Sequence, residues 1–148
     1  MNCFNDGDNS INNNIIKLIM SRIKDKHYVY NISYHIVWIP KYRKRILKND
    51  IKKALILYLF EKASQLNISI DAYEIMDDHV HLFIKSNPSL PISFIVQQLK
   101  GYTSYMLRKQ FPSLKRYKSL WTHSYFVETI GLISEKTVKK YIEMQTKK

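Results

Sequence analysis

Asp77-Asp78-His79-Val80-His81-Leu82-Phe83-Ile84-Lys85 is the stretch on which the fold turns. Val80, Leu82 and Ile84 alternate with His79, His81 and Phe83, which predicts a β-strand. Side chains on a strand repeat every second residue, so the aliphatic trio takes one face and both imidazoles take the other. Two imidazoles aimed the same way suit a shared divalent cation. The same spacing also fits two polar residues on the wet face of an antiparallel sheet.

Outward from this strand, residues 68–76 predict its predecessor, joined through Asp77-Asp78 as a turn. Residues 27–39 alternate as a first strand, with Tyr30, Ile32, Tyr34, Ile36 and Trp38 on one face and Asn31, Ser33, His35 and Val37 on the other. Pro40 stops it. Lys41, Arg43, Lys44, Arg45 and Lys48, with Tyr42 among them, form a basic loop that suits phosphate contact, or a merely solvated loop. Asn49 or Asp50 then caps a helix to about residue 66. Its Ile51, Ala54, Leu55, Tyr58, Leu59, Ala63 and Leu66 share one buried stripe.

Downstream, Asn87, Pro88 and Pro91 mark a loop, and residues 91–111 predict a second helix with Pro91 in its first turn. Ile92, Ile95, Val96, Leu99, Tyr102 and Met106 form its expected inner side, and Gly101 interrupts its middle. Lys100, Arg108, Lys109, Lys115, Arg116 and Lys118, interleaved with Tyr102, Tyr105 and Tyr117, extend the basic surface. Residues 121–129 predict a fourth strand; Gly131 breaks it, and Ser134 caps a last helix to about residue 145.

The resulting order, β-α-β-β-α-β plus one helix, predicts an α+β, ferredoxin-like four-stranded antiparallel sheet with two helices on one face. The first and third strands are then central neighbours. The helices cover Val80, Leu82 and Ile84, and the face of His79 and His81 stays open toward the last helix. On that helix Val138, Tyr141, Ile142 and Gln145 follow i, i+3, i+4, i+7 and share a stripe. A phenol and an amide one turn apart can reach the open face; a packed tyrosine beside a surface glutamine fits the spacing too.

Composition narrows the function. At 148 residues, 45% of them hydrophobic, the chain suits one folded domain. Residues 23–148 are read as that domain, and residues 1–22 as a mobile Asn-rich tail or short helix. The single cysteine, Cys3, excludes an internal disulfide and a cysteine-based zinc site. No apolar run is long enough for a membrane span and no signal-peptide core is visible, so a cytoplasmic location is expected, nucleoid-associated when DNA is bound. A net charge of +12 favours a polyanion, with nucleic acid foremost. Eleven Tyr, six Phe and two Trp offer stacking surfaces for unpaired bases.

Over residues 30–147 the sequence resembles the HUH single-strand transposases of the insertion-sequence 200/605 type, which use one tyrosine. The resemblance rests on Tyr34-His35-Ile36-Val37-Trp38-Ile39-Pro40-Lys41-Tyr42-Arg43, on Met76-Asp77-Asp78-His79-Val80-His81-Leu82 and on Gln98-Leu99-Lys100-Gly101-Tyr102-Thr103-Ser104. It continues through Leu120-Trp121-Thr122-His123-Ser124-Tyr125-Phe126-Val127 and closes on the stretch from Ser134 to Gln145. A bare His-hydrophobic-His is a weak signal, whereas the ordered set ending in Tyr-x-x-x-Gln is specific. The Asn-rich leader is the clearest departure.

The resemblance implies that His79 and His81 are metal ligands, Gln145 the third ligand and Tyr141 the nucleophile. It implies metal-dependent cleavage and rejoining of single-stranded DNA through a 5′-phosphotyrosine, with magnesium or manganese as cofactor. The implied partners are hairpins at element ends and a second copy of the chain, in a dimer whose active sites can be shared between protomers. Lys41, Arg43, Lys44, Arg45, Lys100, Arg108, Lys115 and Arg116 become candidate DNA contacts. His35 and Asp78 are candidates to orient a ligand imidazole, although a half-buried polar residue and a turn residue are the simpler readings. Trp121 and His123 serve packing or DNA contact. Two rivals remain: a non-catalytic single-strand-binding module with an RNA-recognition-like sheet, and a replication-initiator or relaxase relative sharing the histidine pair.

Overall fold

The computed structural model describes residues 32–130 together with Lys140, Glu143 and Met144. The expected tail, the first residues of the first strand, and Tyr141 and Gln145 of the last helix lie outside the described residues.

The alternating stretch before Pro40 forms β1 (Ile32–Trp38), and the chain then takes one short 3-10 turn, Lys41–Arg43. Helix α1 (Asn49–Gln65) leads to β2 (Ser69–Met76), which turns through Asp77-Asp78 into β3 (His79–Ser86). Helix α2 (Ile92–Gln110), a second 3-10 segment (Pro112–Arg116) and β4 (Phe126–Thr129) follow. The sheet order is β2-β3-β1-β4 with every pairing antiparallel. This is the expected ferredoxin-like layout, with β1 and β3 at its centre.

The core lies between that sheet and the two helices. Ile36, Trp38, Val80, Leu82 and Ile84 cluster with Leu55, Leu59, Ile95, Leu99 and Leu107, each at most 1% exposed. Burial of this kind contributes on the order of 1.5–3 kcal/mol per large side chain, which is why the helical and strand periodicities agree on one interior. The described helices include none long and apolar enough to cross a membrane.

Four local expectations are corrected. No side chain caps α1; Asn49 instead opens it at φ 51°, a left-handed conformation that asparagine tolerates. In α2 the buried stripe runs Ile95, Val96, Leu99, Thr103 and Leu107, so Thr103 and Leu107 replace Tyr102 and Met106. Thr103 can be buried because its hydroxyl donates to the Leu99 carbonyl at 2.7 Å and accepts from the Trp121 indole at 3.1 Å. Gly101 does not interrupt α2: it is exposed in the helix middle, with nothing among the described residues near its missing Cβ.

The fourth strand is shorter than expected. Trp121 sits outside it and forms an isolated bridge with Pro40. Trp121 is 4% exposed and its ring meets Trp38 edge-on at 5.9 Å, so core packing rather than strand alternation places it.

Candidate active site

β3 holds His79 and His81 on the face opposite the helices, and its neighbours supply what surrounds them. Register puts Val37 of β1 and Glu74 of β2 opposite His81, Met76 opposite His79, and Glu128 of β4 opposite His35. The imidazoles of His79 and His81 lie edge to face, with centroids 4.9 Å apart. Phe83 on this same face is fully buried and Glu74 nearly so, which makes the face less open than the strand pattern implies.

Each of the two imidazoles has its Nδ1 engaged. His79 Nδ1 is 2.6 Å from Asp78 Oδ1, and Arg43 Nε donates to the other oxygen of that carboxylate at 3.1 Å. Asp78 is consequently held below the usual carboxylate range, chiefly by the hydrogen bond from His79, with the charges of His79 and Arg43 adding to it. His81 Nδ1 is 3.1 Å from His35 Nε2, and His35 Nδ1 is 3.2 Å from Glu128 Oε1. Burial first, and then the nearby His79 and His35, push the His81 pKa from 6.5 down to about 4, which keeps the ring neutral at ordinary pH.

An ionised carboxylate only accepts hydrogen bonds, so His79 Nδ1 carries the hydrogen toward Asp78, and in the neutral form of the ring Nε2 is then the lone pair. Neither Nε2 atom, of His79 or of His81, has a hydrogen-bond partner among the described residues. Neutral imidazole with its second nitrogen held by an acceptor is the form in which histidine ligates metals. The described residues contain no group of three His, Cys, Asp or Glu side chains able to hold a metal by themselves. The donor set therefore fits a divalent cation through two imidazoles, and the expected third ligand, Gln145, falls outside the described residues along with Tyr141.

The basic residues divide. Lys44, Arg45, Lys115 and Arg116 are exposed, and Lys41 is half-buried. Lys44 and Arg116 both lie over the Tyr117 ring, at 4.6 and 5.0 Å, so folding brings the two basic stretches together. Arg108, Lys109 and Lys115 line an open hollow of about 530 Å³ with Tyr105. Lys100, expected on the basic surface, is instead half-buried. Its ammonium donates to the backbone carbonyls of Thr122, His123 and Ser124 and holds that segment against α2. Burial lowers its pKa. Arg43 is exposed but already engaged with Asp78. His123 is exposed and lines the hollow of about 390 Å³ beside Lys100.

Glu128 is the residue that reading the sequence missed. Its place beside His35 depends on the pairing of β4 with β1, and no local pattern carries that register.

Comparison with known proteins bears on the chain as a whole. The family profile described as "Transposase IS200 like" matches residues 28–145. The ISDra2 transposase TnpA of Deinococcus radiodurans is 33% identical over 125 residues, 82% of this chain and 89% of that protein. The transposase for insertion sequence element IS200 of Salmonella typhimurium is 33% identical over 122 residues, 80% of each. Among solved structures, a candidate transposase from Deinococcus radiodurans superposes with a TM-score of 0.70 at 33% identity, covering 83% of this chain and 97% of that one. A REP-associated tyrosine transposase bound to a REP hairpin shares the fold, with a TM-score of 0.59 at 14% identity over 83% of this chain and 71% of that one.

Proposed function

The chain belongs to the IS200-like transposase family, and from that premise we propose that it cuts and rejoins single-stranded DNA through a covalent bond to Tyr141. One observation carries the reading: two neighbouring imidazoles on β3 have their Nδ1 atoms engaged and their Nε2 atoms unengaged among the described residues. That arrangement is what two ligands of a divalent cation require, and a sheet that merely stacks bases has no use for it.

Tyr141 Oη attacks the scissile phosphorus; a P–O bond to tyrosine forms, the P–O3′ bond breaks, and a free 3′-hydroxyl leaves. The resulting 5′-phosphotyrosine keeps the energy of the broken diester. A second 3′-hydroxyl can therefore attack it and join strands without ATP. A free phenol with a pKa of about 10 is ionised in only about one molecule in a thousand at neutral pH, a shortfall of about 4 kcal/mol. Magnesium or manganese held by His79, His81 and Gln145 would neutralise charge on the phosphate and orient it for in-line attack.

Hairpin-bearing DNA is the proposed substrate, and a homodimer sharing active sites is the proposed assembly. The cations gathered at Tyr117 support a phosphate partner. The rival, a non-catalytic binding module, explains charge and aromatics but leaves the histidine pair without a role.

Incubating the protein with a hairpin-bearing single strand and Mn²⁺ tests the proposal. A covalent protein–DNA adduct is expected, absent without metal and absent in Tyr141→Phe. An adduct that survives Tyr141→Phe defeats it, and binding with no adduct favours the module.

A further inference from the structure

The contact between His35 and His81 joins two rings that belong to different strands, and nothing in the proposed chemistry calls for a third histidine. His35 is not placed to share a cation with His81 Nε2, because its own Nε2 meets His81 Nδ1 at 3.1 Å and its Nδ1 meets Glu128 at 3.2 Å. The two rings are nearly parallel, 16° apart with centroids at 5.3 Å, and Phe126 packs edge-on against His35 at 6.2 Å. His35 is 16% exposed and Glu128, which faces its other nitrogen, 50% exposed. His35 thus has both ring nitrogens occupied and a packed orientation.

The direction of these hydrogen bonds follows from the carboxylate. Glu128 has no hydrogen to give, so the proton between it and His35 belongs to His35 Nδ1. A neutral His35 then has a bare Nε2, which must accept. The hydrogen it accepts is the one on His81 Nδ1, and that leaves His81 Nε2 as the lone pair. We infer that Glu128, acting through His35, is a positioning device that holds His81 in the Nδ1–H tautomer and so keeps its Nε2 available as a ligand. Asp78 does the same for His79 directly, at 2.6 Å. The two ligand imidazoles thus end on carboxylates by paths of different length, and the longer path crosses from β3 through β1 to β4.

This inference rests on the proposed metal role of His81, and its test separates the two. Full-length ¹⁵N-labelled protein without metal, at mildly alkaline pH, shows in long-range imidazole spectra which nitrogen of His81 bears hydrogen. Wild type is expected to show hydrogen on Nδ1 and none on Nε2, while His35→Phe and Glu128→Ala each give a mixture of tautomers. Glu128 is half exposed on an edge strand, so its replacement addresses the same path if His35→Phe folds poorly. Mn²⁺ affinity, measured calorimetrically, is expected to fall about 10–100-fold in both variants. A wild-type His81 protonated at Nε2, with His35 bearing both hydrogens, overturns the inference. So does a His81 tautomer that neither variant disturbs, or an altered tautomer with unchanged Mn²⁺ affinity. A wild type that binds no Mn²⁺ defeats the metal reading instead, and the imidazole spectra still decide the positioning.

Discussion

Val80, Leu82 and Ile84 on one face of β3 are fully buried beneath the helices, whereas His79 and His81, which alternate with them, are held by hydrogen bonds to Asp78 and His35. One strand thus carries two regimes. On the apolar face what matters is volume, because dispersion and burial have no direction and a cavity is the only serious error. On the histidine face, under the proposed metal role, what matters is which nitrogen bears the hydrogen, and a replacement of the right size with the wrong donor should fail. The lesson is that the first face should govern stability through volume, whereas the second should act through its protonation and touch stability mainly where His81 takes up a proton.

The largest expected break of that contrast comes from the apolar side. Leu82→Ala should lower unfolding stability by about 2–5 kcal/mol. Urea unfolding followed by circular dichroism checks it, with an unchanged denaturant slope showing that the loss is in stability alone. A loss below about 1 kcal/mol would mean the site collapses around the missing atoms and volume is not what this face demands.

A middle-sized effect should come from acid. His81 titrates near 6.5 when unfolded and at about 4 when folded. Between those values the unfolded chain binds more protons, so stability is present above the unfolded pKa and is lost as pH falls through this window. His81→Gln, measured without metal, should flatten that part of the stability curve. An equally steep decline in the variant would place the acid sensitivity elsewhere.

The smallest effect is expected at Arg43. Its ion pair with Asp78 is largely solvated on the arginine side, where 67% of the side chain is exposed, so Arg43→Ala should change stability by less than about 1 kcal/mol. Asp78 keeps its bond from His79 in that variant. The sharper measurement is DNA affinity against salt: if Arg43 also touches phosphate, the slope of log affinity against log salt should shrink by about one. An unchanged slope would leave Arg43 as a support for Asp78 alone.

How far the sequence could be read differs element by element. The α1 stripe from Ala54 to Ala63 and the β3 alternation were legible because helix and strand periods are properties of a short segment. The α2 stripe was misjudged past Leu99 because a threonine looks polar until its hydroxyl is seen bonded to the Leu99 carbonyl and the Trp121 indole. Lys100 looked like surface charge, and only the fold reveals the carbonyls of Thr122, His123 and Ser124 that it gathers.

The order of strands and helices, the pairing of His79 with His81 on one face and the spacing of Tyr141 and Gln145 were all determined by sequence alone, since each depends on residues a few positions apart. Tertiary structure alone decided that Asp78 is clamped by Arg43, that His35 meets His81 across 46 positions and that Glu128 meets His35 across 93. Inter-strand register makes those meetings, and register is set by the packing of the whole sheet rather than by any local run of residues.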